Sequence, residues 1–457
     1  MSKHAESTKQ KTILPACLLF LGVTELELSR AVSSSAISAS PFQSRVPQAC
    51  QQPIADFCSK NQISQRKNVS LCMTLEEFEI LCQQQMRQAV DQNIGRSPVD
   101  IALDKRVDYA SLVATQVKRL QRAERKLPSY YAVRAILPPR AYEQSSSEQC
   151  AAINSLGGDS VLDLTCGLGV DTVALSRKFR RVVSCERDEV LASITRHNLA
   201  LLGVDNVEIV NCSAEEYLNS TTDHFDWIFV DPDRRGDKGE KLVLLEDCSP
   251  DVVALYPVLK RVADRICIKC SPLFDTAEAE RKFGDCSVEV LSLGGECKQV
   301  NIYIDGLTPT LSAVAVGVGR FSVERSKVEQ YSFADVATDL SVYKYLILPD
   351  VSLVHSRLTA AAFAGKADIW SHNGVALSAD MPTDVLGRVF EIESIWELGN
   401  KELKRQLKGK RIEILRRDMP LSNGDICRKF SVKEGEAERW CFTRIGAKML
   451  AIKLIKL

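Results

Sequence analysis

The feature that most constrains the fold is an alternation that begins near residue 160. Short apolar stretches, "SVLDL", "RVVSCE", "VEIV", "WIFVD", "RICIKC", "VEVLSL" and "VNIYID", are separated by segments with helical character. Strands that alternate with helices make a parallel sheet with helices on both faces, so this part of the chain reads as α/β.

The chain has 457 residues, enough for about two to four domains. Residues 1–72 hold one apolar run, "ILPACLLFLGV", too short to span a bilayer, then a stretch rich in Ser, Gln, Pro and Asn without periodicity. The run has the length of a signal-peptide core, but Glu25 and Glu27 interrupt that pattern. The expectation is a disordered extension, with the folded protein beginning near Met73, in the cytoplasm and without a membrane span. The sixteen cysteines are scattered over the chain, as free thiols are, rather than grouped as a disulfide framework.

Residues 73–142 read as an N-terminal helical region. Thr74 and Glu77 have capping-box spacing, as do Ser145 and Glu148 further on. In "DYASLVATQVKRLQRAERKL", Leu112, Val113, Val117 and Leu120 share one face, and Lys118, Arg119, Arg122, Arg125 and Lys126 load the rest. The α/β part covers 143–330. A small strand–helix–strand module follows at 341–384, and a last domain at 385–457. The formal net charge is zero, so affinity for an anionic partner must come from patches. One such patch is Lys401–Arg417, with eight basic residues against two acidic ones.

"VLDLTCGLGVDT", residues 161–172, ends a strand in Asp163 and turns through Gly167 and Gly169 into a helix. Glycines there permit unusual backbone angles and close ligand approach, at the sheet edge where nucleotide-like ligands bind. The next strand ends in Glu186, at the distance where an acid takes ribose hydroxyls. The third glycine of the dinucleotide pattern is missing, and Asp171 near the helix start would repel a pyrophosphate. A ligand without phosphates fits better. A fourth strand, "WIFV", ends in Asp231, Pro232 and Asp233, followed by Arg234 and Arg235.

"DLTCGLGVDT" resembles the first motif of class I S-adenosylmethionine-dependent methyltransferases. The resemblance implies a Rossmann-like seven-stranded sheet and S-adenosyl-L-methionine as cofactor. It assigns Asp163, Thr165, Cys166, Gly167 and Gly169 to the glycine turn, Glu186 and Arg187 to the ribose side, and Asn211, Cys212, Ser213 and Ala214 to the adenine side. Glu215 is left to cap the next helix. "VDPDRRG" is similar to the Asp/Asn-Pro-Pro-aromatic segment of amino-methylating members, in which an acid or amide and a backbone carbonyl orient the target amine. Asp231, Pro232 and Asp233 then form the catalytic segment, with Asp233 and Arg234 standing where a proline and an aromatic are usual. Arg234 and Arg235 either grip a substrate phosphate or pair with Asp231, Asp233 or Asp237 to hold the loop.

Over most of residues 73–457 the chain also resembles a bacterial subfamily related to RNA guanine-N2 methyltransferases, with C-terminal ferredoxin-like and THUMP-like domains. The matching landmarks are "KLPSYY", "YEQSSSEQ", "KCSPLFD", "GGECKQV", "YLILPD" and "GRVFEIESIWEL". This implies an RNA partner, tRNA or rRNA, whose target base is turned out of any helix to reach the methyl. Two other readings stay open. Cys270 before Ser-Pro is similar to the nucleophile segment of uracil-C5 methyltransferases, although the spacing from Cys267 turns the two thiols to opposite faces of a strand. Alternatively the chain binds cofactor and RNA without transfer.

Overall fold

The computed structural model describes residues 72–233, 244–335 and 339–456. The expected extension therefore lies, but for Cys72, outside the described residues. The folded part opens as the sequence predicts. Glu77 N–H donates to Thr74 Oγ1 at 3.2 Å and Thr74 N–H donates to the Glu77 carboxylate at 2.9 Å, capping the helix Leu75–Cys82. The long basic helix Ala110–Lys126 buries Val113, Val117 and Leu120. These pack in one cluster with Tyr130, Cys166, Leu168 and Val170, so the helical region forms a wall behind the glycine turn. The second expected capping box is corrected. Ser147 caps the helix Glu148–Ala151, and Glu148 instead accepts from Ser129 N–H and Oγ at 2.9 and 2.7 Å. Ser145 Oγ donates back to Tyr142 O.

The first sheet contains β1 (Gly158–Asp163), β2 (Phe179–Cys185), β3 (Val207–Val210), β4 (Phe225–Val230), β5 (Ala263–Cys270), β6 (Ser287–Leu293), β7 (Glu296–Ile304), β8 (Thr310–Ala315) and β9 (Gly319–Glu324). Their order is β3-β2-β1-β4-β5-β7-β6-β8-β9. The strands β1 to β5 pair in parallel, and β7 runs antiparallel between β5 and β6. The seven expected strands are thus present among the described residues, and β8 and β9 widen the sheet to nine. The strand order reverses at β1, which opens a crevice at the carboxyl ends of β1, β2 and β4.

The second sheet contains β10 (Tyr345–Pro349), β11 (Asp368–Ile369), β12 (Ala376–Ser378), β13 (Gly387–Glu397), β14 (Arg411–Arg416), β15 (Lys433–Glu434), β16 (Glu438–Ile445) and β17 (Lys448–Lys456). Its order, β11-β12-β10-β13-β17-β16-β14-β15, joins strands from 341–384 and 385–457 in one ladder, through the antiparallel pair β10–β13. Trp440 and Phe442 on β16 pack under the helices Lys401–Leu407 and Asn423–Phe430. Ile347, Leu353 and Phe363 share a cluster with Ala313 and Ala315 of β8, which ties this sheet to the first. Ser292 Oγ also donates to Asp350 at 2.6 Å across that junction. No helix among the described residues is long and apolar enough to cross a membrane.

The β10–β13 pair gives the first prediction. A Cβ on Gly387 would stand 2.5 Å from the Leu348 carbonyl oxygen, a backbone atom that cannot step aside. Gly387→Ala is expected to lower stability by about 1–3 kcal/mol, read by urea unfolding. An unchanged midpoint would show that the ladder tolerates the intrusion.

Candidate functional site

The crevice holds a cavity of about 690 Å³. Thr165, Cys166 and Gly167 line it from the glycine turn, Glu186 and Arg187 from the end of β2, Ser213 and Ala214 from beyond β3, and Asp231, Pro232 and Asp233 from the end of β4. Two residues expected at the cofactor stand behind the wall instead. Asp163 is 1% exposed and acts as an internal clamp. Its carboxylate accepts from Thr165 N–H at 3.0 Å, Thr172 Oγ1 at 2.6 Å and Ser184 Oγ at 2.8 Å, joining β1, β2 and the helix Val170–Ser176. Burial pushes its pKa up to about 6, against the pull of those donors. Gly169 has φ +80°, and a Cβ there would meet Thr195 Cγ2 at 2.8 Å, so both backbone angle and space require glycine.

Glu186 takes Gly167 N–H on one oxygen and Asp188 N–H on the other, each at 2.9 Å. Each oxygen keeps a lone pair for a further donor. Burial raises its pKa while the two backbone donors oppose the rise. Asn211 Nδ2 donates to Glu186 O at 2.8 Å and fixes the chain between β3 and the next helix. That helix is capped by Ser213 with Glu216. Glu215, expected as the cap, lines the cavity instead.

Asp231 is held from two sides. Its N–H donates to Thr165 Oγ1 at 2.7 Å, which links the end of β4 to the glycine turn. Its carboxylate accepts from Lys269 Nζ at 2.7 Å. Lys269 lies on β5, is 7% exposed, and also donates to Asp171 at 2.9 Å and Ser146 Oγ at 2.5 Å. Burial alone would lower its pKa, but Asp171 and Asp231 outweigh burial and hold it above the ordinary lysine value. The sequence reading missed Lys269, and it took Asp171 only as a repulsive charge. Pro232 is buried, and the backbone of Asp233 pairs with Ser249 at 2.8 and 3.0 Å. The Asp233 carboxylate lies 3.6 Å from Arg140. Arg234, Arg235 and Asp237 fall outside the described residues.

Among the described residues lining the cavity, the acids Glu143, Asp171, Glu186, Asp188, Glu215, Asp231 and Asp233 face the bases Arg140, Arg187 and Lys298. Such a field favours a cationic ligand and opposes phosphates. A sulfonium nucleoside carries the favoured charge, and Glu186 has acceptors for its ribose hydroxyls. The residues present therefore fit that cofactor. Cys270 is 2% exposed and packs with Val230, Ile268 and Phe274, while Ser271 and Pro272 beyond it line the cavity. Cys267 packs in a different cluster with Val161 and Leu175, so the two thiols do face opposite sides of β5. His197 sits in the helix Glu189–Leu201, and His224 pairs with Asp264 at 2.9 Å.

Two predictions follow from the buried charges. Asp163 has a folded pKa raised from 3.8 to about 6, so the stability it contributes is present below pH ~4 and lost as pH rises through ~6. In Asp163→Asn the fall of that size between pH ~4 and ~7, a few kcal/mol, is expected to vanish from urea titrations run at stepped pH. Lys269→Met removes the only ammonium shown between Asp171 and Asp231 among the described residues. Breaking a buried pair in this way is expected to cost about 3–5 kcal/mol of unfolding free energy. A loss below 1 kcal/mol would mean that water already screens the pair.

Residues 387–454 match the model described as "THUMP domain-like", and residues 148–246 match that described as "Conserved hypothetical protein 95". A Mycobacterium tuberculosis protein named as an uncharacterized S-adenosylmethionine-dependent methyltransferase is 27% identical over 305 residues, covering 65% of this chain and 80% of its own length. A Neisseria meningitidis tRNA/tmRNA (uracil-C(5))-methyltransferase is 31% identical over 151 residues, but that match spans only 28% of this chain and 41% of the relative. A crystal structure of a protein described as a "putative methyltransferase from Porphyromonas gingivalis W83" shares the fold with a TM-score of 0.71, 24% identity, and coverage of 83% of this chain and 98% of that one. The chain is similar to S-adenosylmethionine-dependent methyltransferases, and its residues 387–454 are similar to THUMP domain-like proteins.

Proposed function

We propose that this enzyme methylates an amino nitrogen of a base in RNA, with Asp231 as the orienting group. The observation that carries the reading is the Asp231 carboxylate, which faces the acidic cavity, is tied to the glycine turn through Thr165, and is paired with buried Lys269. When bound, S-adenosylmethionine supplies an electrophilic methyl carbon. Glu186 would receive the ribose hydroxyls, and Thr165, Cys166, Gly167, Arg187, Ser213 and Ala214, which line the same cavity, would hold the rest of the nucleoside. The Lys269 ammonium donates to one Asp231 oxygen, and the carboxylate offers its remaining lone pairs as acceptors for the N–H of a target amine. That bond, with the Pro232 carbonyl as a second acceptor, would orient the amine lone pair for attack; S-adenosylhomocysteine would leave as the S–C bond breaks and the surplus amine proton would pass to solvent, so catalysis is chiefly placement.

The RNA part of the proposal is supported by the THUMP-like match, by the uracil-C5 relatives named for tRNA and tmRNA, and by the basic run Lys401–Arg417. In this reading 143–330 is the methyltransferase domain and 341–457 holds RNA. The uracil-C5 similarity favours one other chemistry, thiolate addition by Cys270. Burial of Cys270 away from the cavity wall argues against it.

The test is transfer of labelled methyl from S-adenosylmethionine to unfractionated tRNA and rRNA, followed by nucleoside mass analysis. Methylation at an exocyclic amine is expected, with kcat down about a hundredfold in Asp231→Asn and cofactor affinity nearly unchanged. Cys270→Ala is expected to keep wild-type activity. A 5-methyluridine product that disappears in Cys270→Ala would replace the amine reading with the thiolate one.

A further inference from the structure

A second cleft, of about 410 Å³, opens in the C-terminal sheet. Arg416, Arg417 and Asp418 enter it from the end of β14, Arg444 from the end of β16, and Asn373 from the loop before β12. Most of these side chains are already committed. Arg444 donates to Asp418 Oδ1 at 3.0 Å, and the other Asp418 oxygen accepts from Ser371 Oγ at 2.9 Å. Arg416 Nη1 donates to Leu421 O at 2.9 Å. Arg417 differs, because its Nε is shut off from water and has no hydrogen-bond partner among the described residues.

The surroundings do not neutralise it. Arg388 acts on Arg417 unfavourably and Asp350 favourably, and burial disfavours its charge most of all. Asp350 is occupied by Ser292 Oγ and Ser352 Oγ, at 2.6 and 2.7 Å. Arg444 and Asp418 pair with each other inside the cleft, and Asp350 is taken by the two serines, which leaves Arg416 and Arg417 as cleft guanidinium groups with no carboxylate partner shown among the described residues. A half-buried guanidinium without a partner costs stability, and its planar fork matches two oxygens of a phosphate. The methyl-transfer cavity is acidic, so it is the wrong place to hold a phosphodiester backbone. From these observations we propose that Arg416, Arg417 and Arg444 form a phosphate-binding cradle that grips the backbone of the RNA substrate. The proposal rests on the RNA reading above.

The test titrates the full chain with labelled unfractionated tRNA and rRNA over a range of salt, beside Arg417→Met and Arg416→Gln. Each variant is expected to bind roughly tenfold more weakly, with the slope of log affinity against log salt reduced by about 1. Cofactor binding by calorimetry is expected to stay unchanged, and Arg417→Met is expected to hold or raise Tm, since no hydrogen bond at Nε is lost. Arg416 is exposed, so Arg416→Gln decides the matter even if Arg417→Met does not fold. If both variants match wild-type affinity and slope while the wild type binds and methylates RNA, the cradle is wrong and the RNA reading stands. If the wild type neither binds nor methylates RNA, the RNA reading fails and takes the cradle with it.

Discussion

The buried ammonium of Lys269 organises the site. It sits on β5, yet its three partners come from the end of β4, the helix after the glycine turn, and the turn before the helix Glu148–Ala151. None of these elements is adjacent to another in sequence, so one side chain sets their spacing. A lysine in this position is favourable only because two carboxylates converge on it, and those carboxylates tolerate each other only because it is there. The geometry of Asp231 therefore depends on a residue on the neighbouring strand. Thr165 adds the second tie, from the glycine turn. The Asp231 carboxylate and the wall of the cavity are thereby held in one frame.

The charges divide the molecule's work. An excess of carboxylates around the crevice suits a sulfonium and opposes phosphates. Basic residues gather on the C-terminal sheet, where the run Lys401–Arg417 ends at the second cleft. The two sheets are locked together by the cluster shared between β8 and the helices Val351–His355 and Thr359–Phe363.

Much of this frame was legible in the sequence. The alternation of apolar strands with helices predicted the sheet, and the spacing of Gly167, Gly169 and Glu186 located the crevice. What was lost was lost for physical reasons. Lys269 lies inside "RICIKC", where apolar neighbours made it look like one more strand residue; a charge in a strand buried on both faces was the available signal. Asp163 and Gly169 were expected to meet the ligand because motif position does not distinguish a wall from its support. Ser145 and Glu148 have the right spacing for a cap, but Ser147 competes for the same helix start and Ser129 competes for Glu148. The sequence alone does not rank such competing partners.

The register of β5 bears most directly on the chemistry. Lys269 and Cys270 are neighbours on one strand, so their side chains point to opposite faces. Pairing of Val230 with Ile268 on one side, and of Asn301 with Lys269 on the other, fixes which faces the site. A slip of one residue would bring the thiol forward, but it would also turn Lys269 into the apolar cluster of Val230, Ile268 and Phe274 and leave Asp171 and Asp231 facing each other unneutralised. The chain therefore cannot keep both the ion pair and a forward thiol at this strand end. At this strand end the lysine holds the forward position, and the Asp231 carboxylate rather than the Cys270 thiol faces the cavity.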